Sequence, residues 1–341
     1  MREIVRRTLE GMDAGERAEA AEEPRRLIAA GRAEDAAGRE AERCPRCPRP
    51  SAVRRGRDGR GRQRWPCRGC GRSFTASTLG PVSWSRPRPE AWEEFARRMA
   101  GGVPPRVVCE RCGVSVPTAW LMRVRACEAM AADLGPFRCG EGMEAQAGGM
   151  MVPESLSGGG AFEMPREPRR AGGQAAGGVS DERVCVLAGE NSLGDVFAEV
   201  CCRGRATKAR VREMPEGRLA DGSVLVTDAH RAHAGTGDAL GVDAEHPAYR
   251  SGGEANARLS GANALHSRLA GFLLRMSGVP TRRLRHCLSW FCWPGRARRR
   301  GGDASAAIRD LNLSTPYHTS RRAPFKGPRY DMGYWEARNA V

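Results

Sequence analysis

Four of the thirteen cysteines stand in two matched pairs. Cys44-Pro-Arg-Cys47 and Cys67-Arg-Gly-Cys70 are both C-x2-C, with nineteen residues between them. Zn²⁺ takes four thiolates in a tetrahedron, and each such pair offers two sulfurs from one tight turn. A hairpin between the pairs would bring them together. Gly69 and Gly71 suit the backbone turn at the second pair. Cys44, Cys47, Cys67 and Cys70 are therefore expected to bind one structural Zn²⁺. A third C-x2-C, Cys109-Glu-Arg-Cys112, has no partner pair and lies in a helical pattern. Its thiols are expected to be ordinary core or surface side chains.

Arginine crowds the same stretch. Residues 44–74 hold ten arginines and one acid, Asp58, which is over half of the net charge of +16. Residues 1–43 carry nine arginines against eleven acids, so the positive balance lies beyond them. Arg54, Arg55, Arg57, Arg62 and Arg64 sit between the cysteine pairs. They are expected on a basic β-ribbon that meets phosphates, the alternative being a merely solvated loop. An isoelectric point near 10 speaks for a polyanionic partner, nucleic acid first, and against an acidic metabolic enzyme. Lys208 and Lys326 are the only lysines; the arginine, alanine and glycine bias reads as a GC-rich gene.

A second kind of chemistry is suggested further on. Ser223-Val-Leu-Val-Thr-Asp228 is an apolar run that ends in an acid. A carboxylate at a strand end can hold a metal ion; a helix-capping Asp would fit the same residues.

These groups need elements to carry them. Residues 1–43 read as a helical arm and 44–78 as the zinc ribbon. Within 88–134, Pro105–Arg111 predicts a short helix and Gly113 a turn. Ser115 can cap a second helix with Pro117 in its first turn, running to about Ala132. Val114, Ala119, Leu121 and Val124 form its apolar side, and Arg123 and Arg125 are expected to be exposed. This fits a helix-turn-helix whose second helix reads a groove, although any αα-hairpin gives the same pattern. Residues 157–180 read as a Gly-rich loop. Arg183–Ala188, Val196–Cys201, Ser223–Thr227 and residues 148–152 are predicted strands. Two helical patterns fill 262–293, broken at Gly278-Val279-Pro280. Residues 294–341 look like a basic, poorly ordered tail. The expected class is multidomain α+β, with the ribbon and helix-turn-helix ahead of an α/β core.

The longer pattern resembles a family. Thr227-Asp228, then Gly261-Ala-Asn263-Ala-Leu-His266-Ser-Arg-Leu269, then Gly278-Val-Pro-Thr-Arg-Arg-Leu-Arg-His-Cys-Leu-Ser-Trp290-Phe291 are similar to the zinc-ribbon insertion-sequence transposases with an ISXO-like DDE domain. So are Phe162-Glu-Met-Pro-Arg-Glu-Pro-Arg-Arg, Gly177-Gly-Val-Ser-Asp-Glu-Arg-Val-Cys-Val186, Phe74-Thr-Ala-Ser-Thr78, Pro117-Thr-Ala-Trp120 and Glu128-Ala-Met130. The resemblance spans about 44–293. It implies a ribonuclease-H-like core over 143–293 and DNA cleavage and strand transfer with two Mg²⁺ ions. One metal activates the nucleophile and the other stabilises the leaving oxygen, ~3.5–4 Å apart. By this resemblance Asp228 matches the second carboxylate and Asn263 the third ligand. His266, one helical turn on, could face the same site or lie on a helix surface or against DNA.

The first catalytic Asp of the family falls on Gly148 here, upstream of Pro153-Glu154-Ser155. Ala270 stands where a lysine is common. Glycine offers no side chain to Mg²⁺, so catalysis should be impaired unless Glu144 or Glu154 substitutes. Glu144 would be ~13 Å away along a strand. The alternative is a non-catalytic zinc-ribbon and helix-turn-helix DNA-binding protein. The implied partners are double-stranded DNA and transposon ends, with a homodimer or larger assembly on DNA. No apolar run reaches the ~18 residues of a membrane span. With no secretory signal and an odd cysteine count, the expected location is the cytoplasm, at the nucleoid.

Overall fold

The computed structural model describes scattered positions between 11 and 27, then residues 43–47, 53–82 without 60 and 79, 87–155, 183–213, 218–247 without 229, 257–299 without 277, and 303–314. Most of the expected N-terminal arm, all of the 157–180 loop and the end of the tail lie outside these. The chain divides into two compact units. One comprises Met1–Gly101, Pro105–Ala129 and Ser305–Arg321; the other comprises Gly102–Pro104, Met130–Ala304 and Arg322–Val341.

The first unit begins with the ribbon. Strands β1 (Trp65–Pro66) and β2 (Ser73–Phe74) pair antiparallel around the second cysteine pair. Trp65 stacks on Phe74 with ring centroids 6.0 Å apart, and both bury against Cys44 and Cys67. Upstream, a hairpin turns at Asp58–Gly61, held by Arg55 N–H to Arg64 O (2.9 Å) and Asp58 N–H to Arg62 O (2.9 Å).

Three helices follow, α1 (Pro89–Ala100), α2 (Pro105–Cys112) and α3 (Val116–Asp133). Helix α1 starts on a proline with Glu90 in its first turn and ends on Arg97 and Arg98, as the helix dipole favours. Its buried Trp92, Phe95, Ala96 and Met99 recur at helical spacing. Between α2 and α3, Gly113 takes φ +61°, a left-handed turn that a side chain would strain. Ser115 Oγ accepts from Thr118 N–H at 3.4 Å, the expected N-cap.

The second unit is built on a five-stranded sheet. Its strands are β3 (Glu144–Pro153), β4 (Arg183–Asn191), β5 (Val196–Arg203), β6 (Val224–Thr227) and β7 (Asp243–Glu245). In space the order is β5-β4-β3-β6-β7. The first three run antiparallel as a meander, and β6 and β7 run parallel to β3. All four predicted strands are present, three of them longer than expected and β6 one residue shorter. One face carries Ala145, Ala147, Leu187, Phe197 and Leu225 in a common apolar cluster. Helices α4 (Lys208–Glu213) and α5 (Thr236–Leu240) pack together, α4 against β5 and α5 against β7. Helices α6 (Ser260–Arg275) and α7 (Thr281–Arg299) pack on the sheet through β3, β4 and β5. Helix α6 buries Ala262, Leu265, Leu269 and Phe272, and Phe272 meets Trp290 of α7 edge-on.

The expected tail is a correction. Residues 294–299 continue α7 through Pro294. Arg296 grips Asp195 with two bonds of 2.9 Å, and Arg299 pairs with the same carboxylate. Two arginines that looked free in the sequence share one acid a hundred residues upstream. Ala304–Ser314 then form helix α8, with Ile308 fully buried.

Candidate functional site

The two cysteine pairs converge in the ribbon. Cys44 Sγ lies 3.8 Å from Cys70 Sγ, and Cys47 Sγ lies 3.3 Å from Cys67 Sγ. All four sulfurs are within 4.8 Å of one another and could hold a zinc ion. Each pair's turn aims an amide at its leading sulfur. Arg46 N–H reaches Cys44 Sγ at 3.4 Å, and Gly69 N–H reaches Cys67 Sγ at 3.3 Å. The Cys70 amide and the Cys47 thiol draw the Cys67 thiol down to about 6, toward the thiolate that metals need. The third C-x2-C behaves as expected of it. Cys109 Sγ donates to Arg106 O at 2.9 Å, and Cys112 is pushed up to about 12 by burial.

The ribbon arginines divide into two groups. Arg54, Arg55, Arg57 and Arg64 are exposed, as are Arg68 and Arg72. Arg62 is different. Its guanidinium clamps Asp58 at 2.7–2.8 Å and donates to Ser77 Oγ at 2.7 Å. It ties the hairpin to the segment after β2, and its charge is largely spent there. On α3, Arg123 is half-buried, and Arg125 corrects the expectation of an exposed side chain. Arg125 is 2 % exposed and its Nη1 donates to Pro81 O at 3.2 Å. Val124, Arg125, Ala126 and Cys127 are all buried, so α3 is enclosed on every side at that level. The helix is exposed at its start, around Val116 and Pro117, and again at its end, residues 131–133.

In the second unit, register sets the candidate residues. Strand β3 pairs with β6 up to Ala147 beside Thr227. Gly148 and Asp228 each follow directly after that last pair, Asp228 just beyond the end of β6. Helix α6 brings His266 over the same point, with Nε2 3.1 Å from Gly148 O. A carbonyl only accepts, so Nε2 carries the proton and Nδ1 is the free ring nitrogen. Burial holds His266 below the ordinary histidine range, partly offset by that carbonyl and by Asp228. Asn263, one turn earlier on α6, is exposed.

Asp228 has neighbours that the sequence reading did not single out. Its Oδ1 accepts from His230 N–H at 3.2 Å, and His233 Nε2 lies 3.4 Å from the same oxygen. His233 is buried and held below its ordinary range by that burial. Thr227 Oγ1 sits 2.7 Å from His246 Nδ1. The signal was legible in Asp228-Ala-His230-Arg-Ala-His233, an acid followed by two spaced imidazoles.

Glu154 and Glu144, the two glutamates that the resemblance offers as substitutes at position 148, are engaged elsewhere. Glu154 is buried and pairs with Arg203 at 3.1 Å. Glu144 binds Arg258 at 2.5 Å and accepts from Gln146 at 3.0 Å. Among the described residues, no group of three or more ligating side chains includes Asp228. Residues with one carboxylate and a glycine do not fit a pair of Mg²⁺ ions.

No protein-family model matches the chain, and no curated protein matches it. Among solved structures, the chain is similar to a simian T-cell lymphotropic virus intasome in complex with PP2A regulatory subunit B56 gamma. The overlap covers 58 % of this chain and 67 % of that one, at 12 % identity and a TM-score of 0.28. It is too slight to assign a fold or an activity. No helix among the described residues is long and apolar enough to cross a membrane.

Proposed function

We propose that this chain is a DNA-binding protein of the zinc-ribbon insertion-sequence transposase type, with a ribonuclease-H-like core whose cleavage centre is incomplete. What supports the core assignment is the sheet: three antiparallel strands followed by two parallel ones, in the order β5-β4-β3-β6-β7. What supports the loss of cleavage is a glycine at 148, directly after the last β3–β6 pair, Ala147 with Thr227, that precedes Asp228. Two-metal strand transfer needs an acid at both positions. A glycine keeps the strand and loses the ligand.

The division of labour follows from the residues. The ribbon, closed by zinc, presents Arg54, Arg55, Arg57 and Arg64 to phosphates. The start of α3, capped by Ser115 and exposed at Val116 and Pro117, is the part of the helical hairpin that would meet a groove. Arg125 fixes α3 from inside and does not touch DNA. In the core, Asp228 and Asn263 stand at the second and third ligand positions, and His266 occupies the space over Gly148. The chain's own assembly on DNA, as a dimer or larger, belongs to the same reading.

The observation that carries binding is the exposed arginine set on a hairpin whose flanking cysteines converge within 4.8 Å of one another. Titration of the full chain with duplex DNA in rising salt tests it. With about six phosphates neutralised, log K should fall against log salt with a slope near −5. Affinity that stays flat from low to moderate salt would refute the reading.

A further inference from the structure

Three more thiols meet outside the ribbon and next to the second region, where a Cβ on Gly149 would stand 3.4 Å from Cys185 Sγ. Cys185 lies on β4, and Cys201 and Cys202 lie on β5. Their sulfurs all lie within 4.8 Å of one another. In a regular strand, consecutive side chains point to opposite faces, so Cys201 and Cys202 could not both reach Cys185. The pairing explains how they do. Cys185 opposes Cys202, while the next residue, Val186, opposes Val200. Cys201 is thus an extra residue in β5, a bulge that sets two residues against one and re-aims their side chains. It turns the adjacent thiols toward one point beside Cys185.

Apolar packing alone does not account for this. A bulge gives up ladder pairing, and a small apolar residue would fill the space without three sulfurs converging. None of the three is in a disulfide; Cys185 and Cys202 are buried and Cys201 is largely so. Metal–sulfur bonds of ~2.3 Å put tetrahedral or trigonal sulfurs about 3.8–4.0 Å apart, within the span observed. Thiolates select soft cations over Mg²⁺ or Ca²⁺. Among the described residues, no histidine or carboxylate completes the group. The ion would therefore keep three thiolates, with water in any fourth position.

We propose that Cys185, Cys201 and Cys202 form a second metal site, a three-thiolate site for a soft d10 cation such as Zn²⁺ or Cd²⁺. It is independent of the ribbon and of the proposed action on DNA. The site would cross-link β4 to β5 at the end of the sheet where β5 finishes.

The test is Cd²⁺ titration of the full chain under reductant, read by thiolate-to-metal absorption and by metal analysis after desalting. The unmutated chain should take up two equivalents. Cys201→Ala with Cys202→Ala should lower this to one, as should Cys67→Ser with Cys70→Ser, and the four changes together should leave none. Cys127→Ala, a buried thiol outside both groups, should keep two. One equivalent in the unmutated chain, or two retained after Cys201→Ala with Cys202→Ala, overturns the proposal. Cadmium NMR of the unmutated chain needs no variant. Two resonances, one for four sulfurs and one for three, are expected, and a single four-sulfur resonance overturns it.

Discussion

The ribbon and the end of the sheet at Gly148 differ in what the loss of one ligand does. In the ribbon, fold and ligands are the same thing. Twenty-seven residues, Cys44 to Cys70, supply all four sulfurs, and the small core around them is Trp65, Phe74 and the cysteines themselves. At the sheet end, the candidate residues come from β3, the end of β6 and α6, up to 118 positions apart. There the backbone holds the position whatever the side chain is. Gly148 and Gly149 pair with Ala188 and Leu187 as any residues would. A ribbon that loses a thiol should lose its structure. A sheet that loses a carboxylate keeps its structure and loses only chemistry.

The largest effect should follow from breaking the ribbon. Cys67→Ser with Cys70→Ser should remove its zinc, which in small structural sites contributes on the order of 10–16 kcal/mol. Protease should then cut freely between residues 44 and 78, while the sheet unit unfolds at its former temperature. Zinc retained by this variant would contradict the ligand set. Cys109→Ser with Cys112→Ser should leave zinc content unchanged.

The sheet unit should fail by a different route, in acid. Burial lowers His286 of α7 from 6.5 to about 4. The unfolded chain binds that proton more readily than the folded one, so stability is full above pH 6.5 and falls as pH drops toward 4. At ~1.4 kcal/mol per decade the loss by pH 4 is roughly 3 kcal/mol. His266 and His233 shift in the same direction and add to it. Chemical denaturation at stepped pH should show the decline, and His286→Gln should flatten it. A decline of equal depth in His286→Gln would assign it to other groups.

Arg54, Arg55, Arg57 and Arg64 changed together to alanine should make the salt slope of DNA binding shallower by about 3–4, near 0.9 per phosphate lost. Folding should change little, since these side chains are exposed and the bonds of Arg57 to Gly61 O (2.8 Å) and Arg64 to Ser73 Oγ (3.2 Å) lie at the surface. Arg125→Ala should do the reverse, lowering stability and leaving the slope as it was. An altered slope in Arg125→Ala would put that residue back on the DNA.

The smallest effect belongs to Glu144→Gln. Its ion pair with Arg258 is a third exposed, so its loss should cost under about 1 kcal/mol. It should neither create nor abolish DNA cleavage. A cleavage activity that disappears in Glu144→Gln would make this residue the replacement for the missing acid.

Much of this was legible because its causes are local. The cysteine spacing, Gly113, the Ser115 cap and the apolar runs of β4, β5 and β6 all declare themselves within a few residues. The burial of Arg125 did not, because enclosure of α3 depends on segments such as Pro81 that are far away in sequence. Helix α8 and the end of α7 were missed for a similar reason. Arginines near Pro294 look like a solvated tail until Asp195 is placed beside them. The three-thiol cluster was invisible because adjacent cysteines in a strand point apart unless a bulge intervenes, and nothing in the sequence marks the bulge.

The proposed contrast between a ribbon that keeps all four ligands and a sheet end that lacks one is tested most directly by DNA cleavage. The substrate is duplex DNA carrying the sequences that flank the gene, incubated with Mg²⁺ or Mn²⁺ and the unmutated chain or Gly148→Asp. A Cβ at 148 would stand 3.0 Å from His266 Cε1, so the imidazole must yield by a few tenths of an ångström, and the glycine backbone itself is no obstacle. If Gly148→Asp alone is weak, Ala270→Lys is the change to add. The account predicts no cutting by the unmutated chain, cutting by Gly148→Asp, and its loss again when Asp228→Asn is added. Cutting by the unmutated chain at the rate of Gly148→Asp would contradict it.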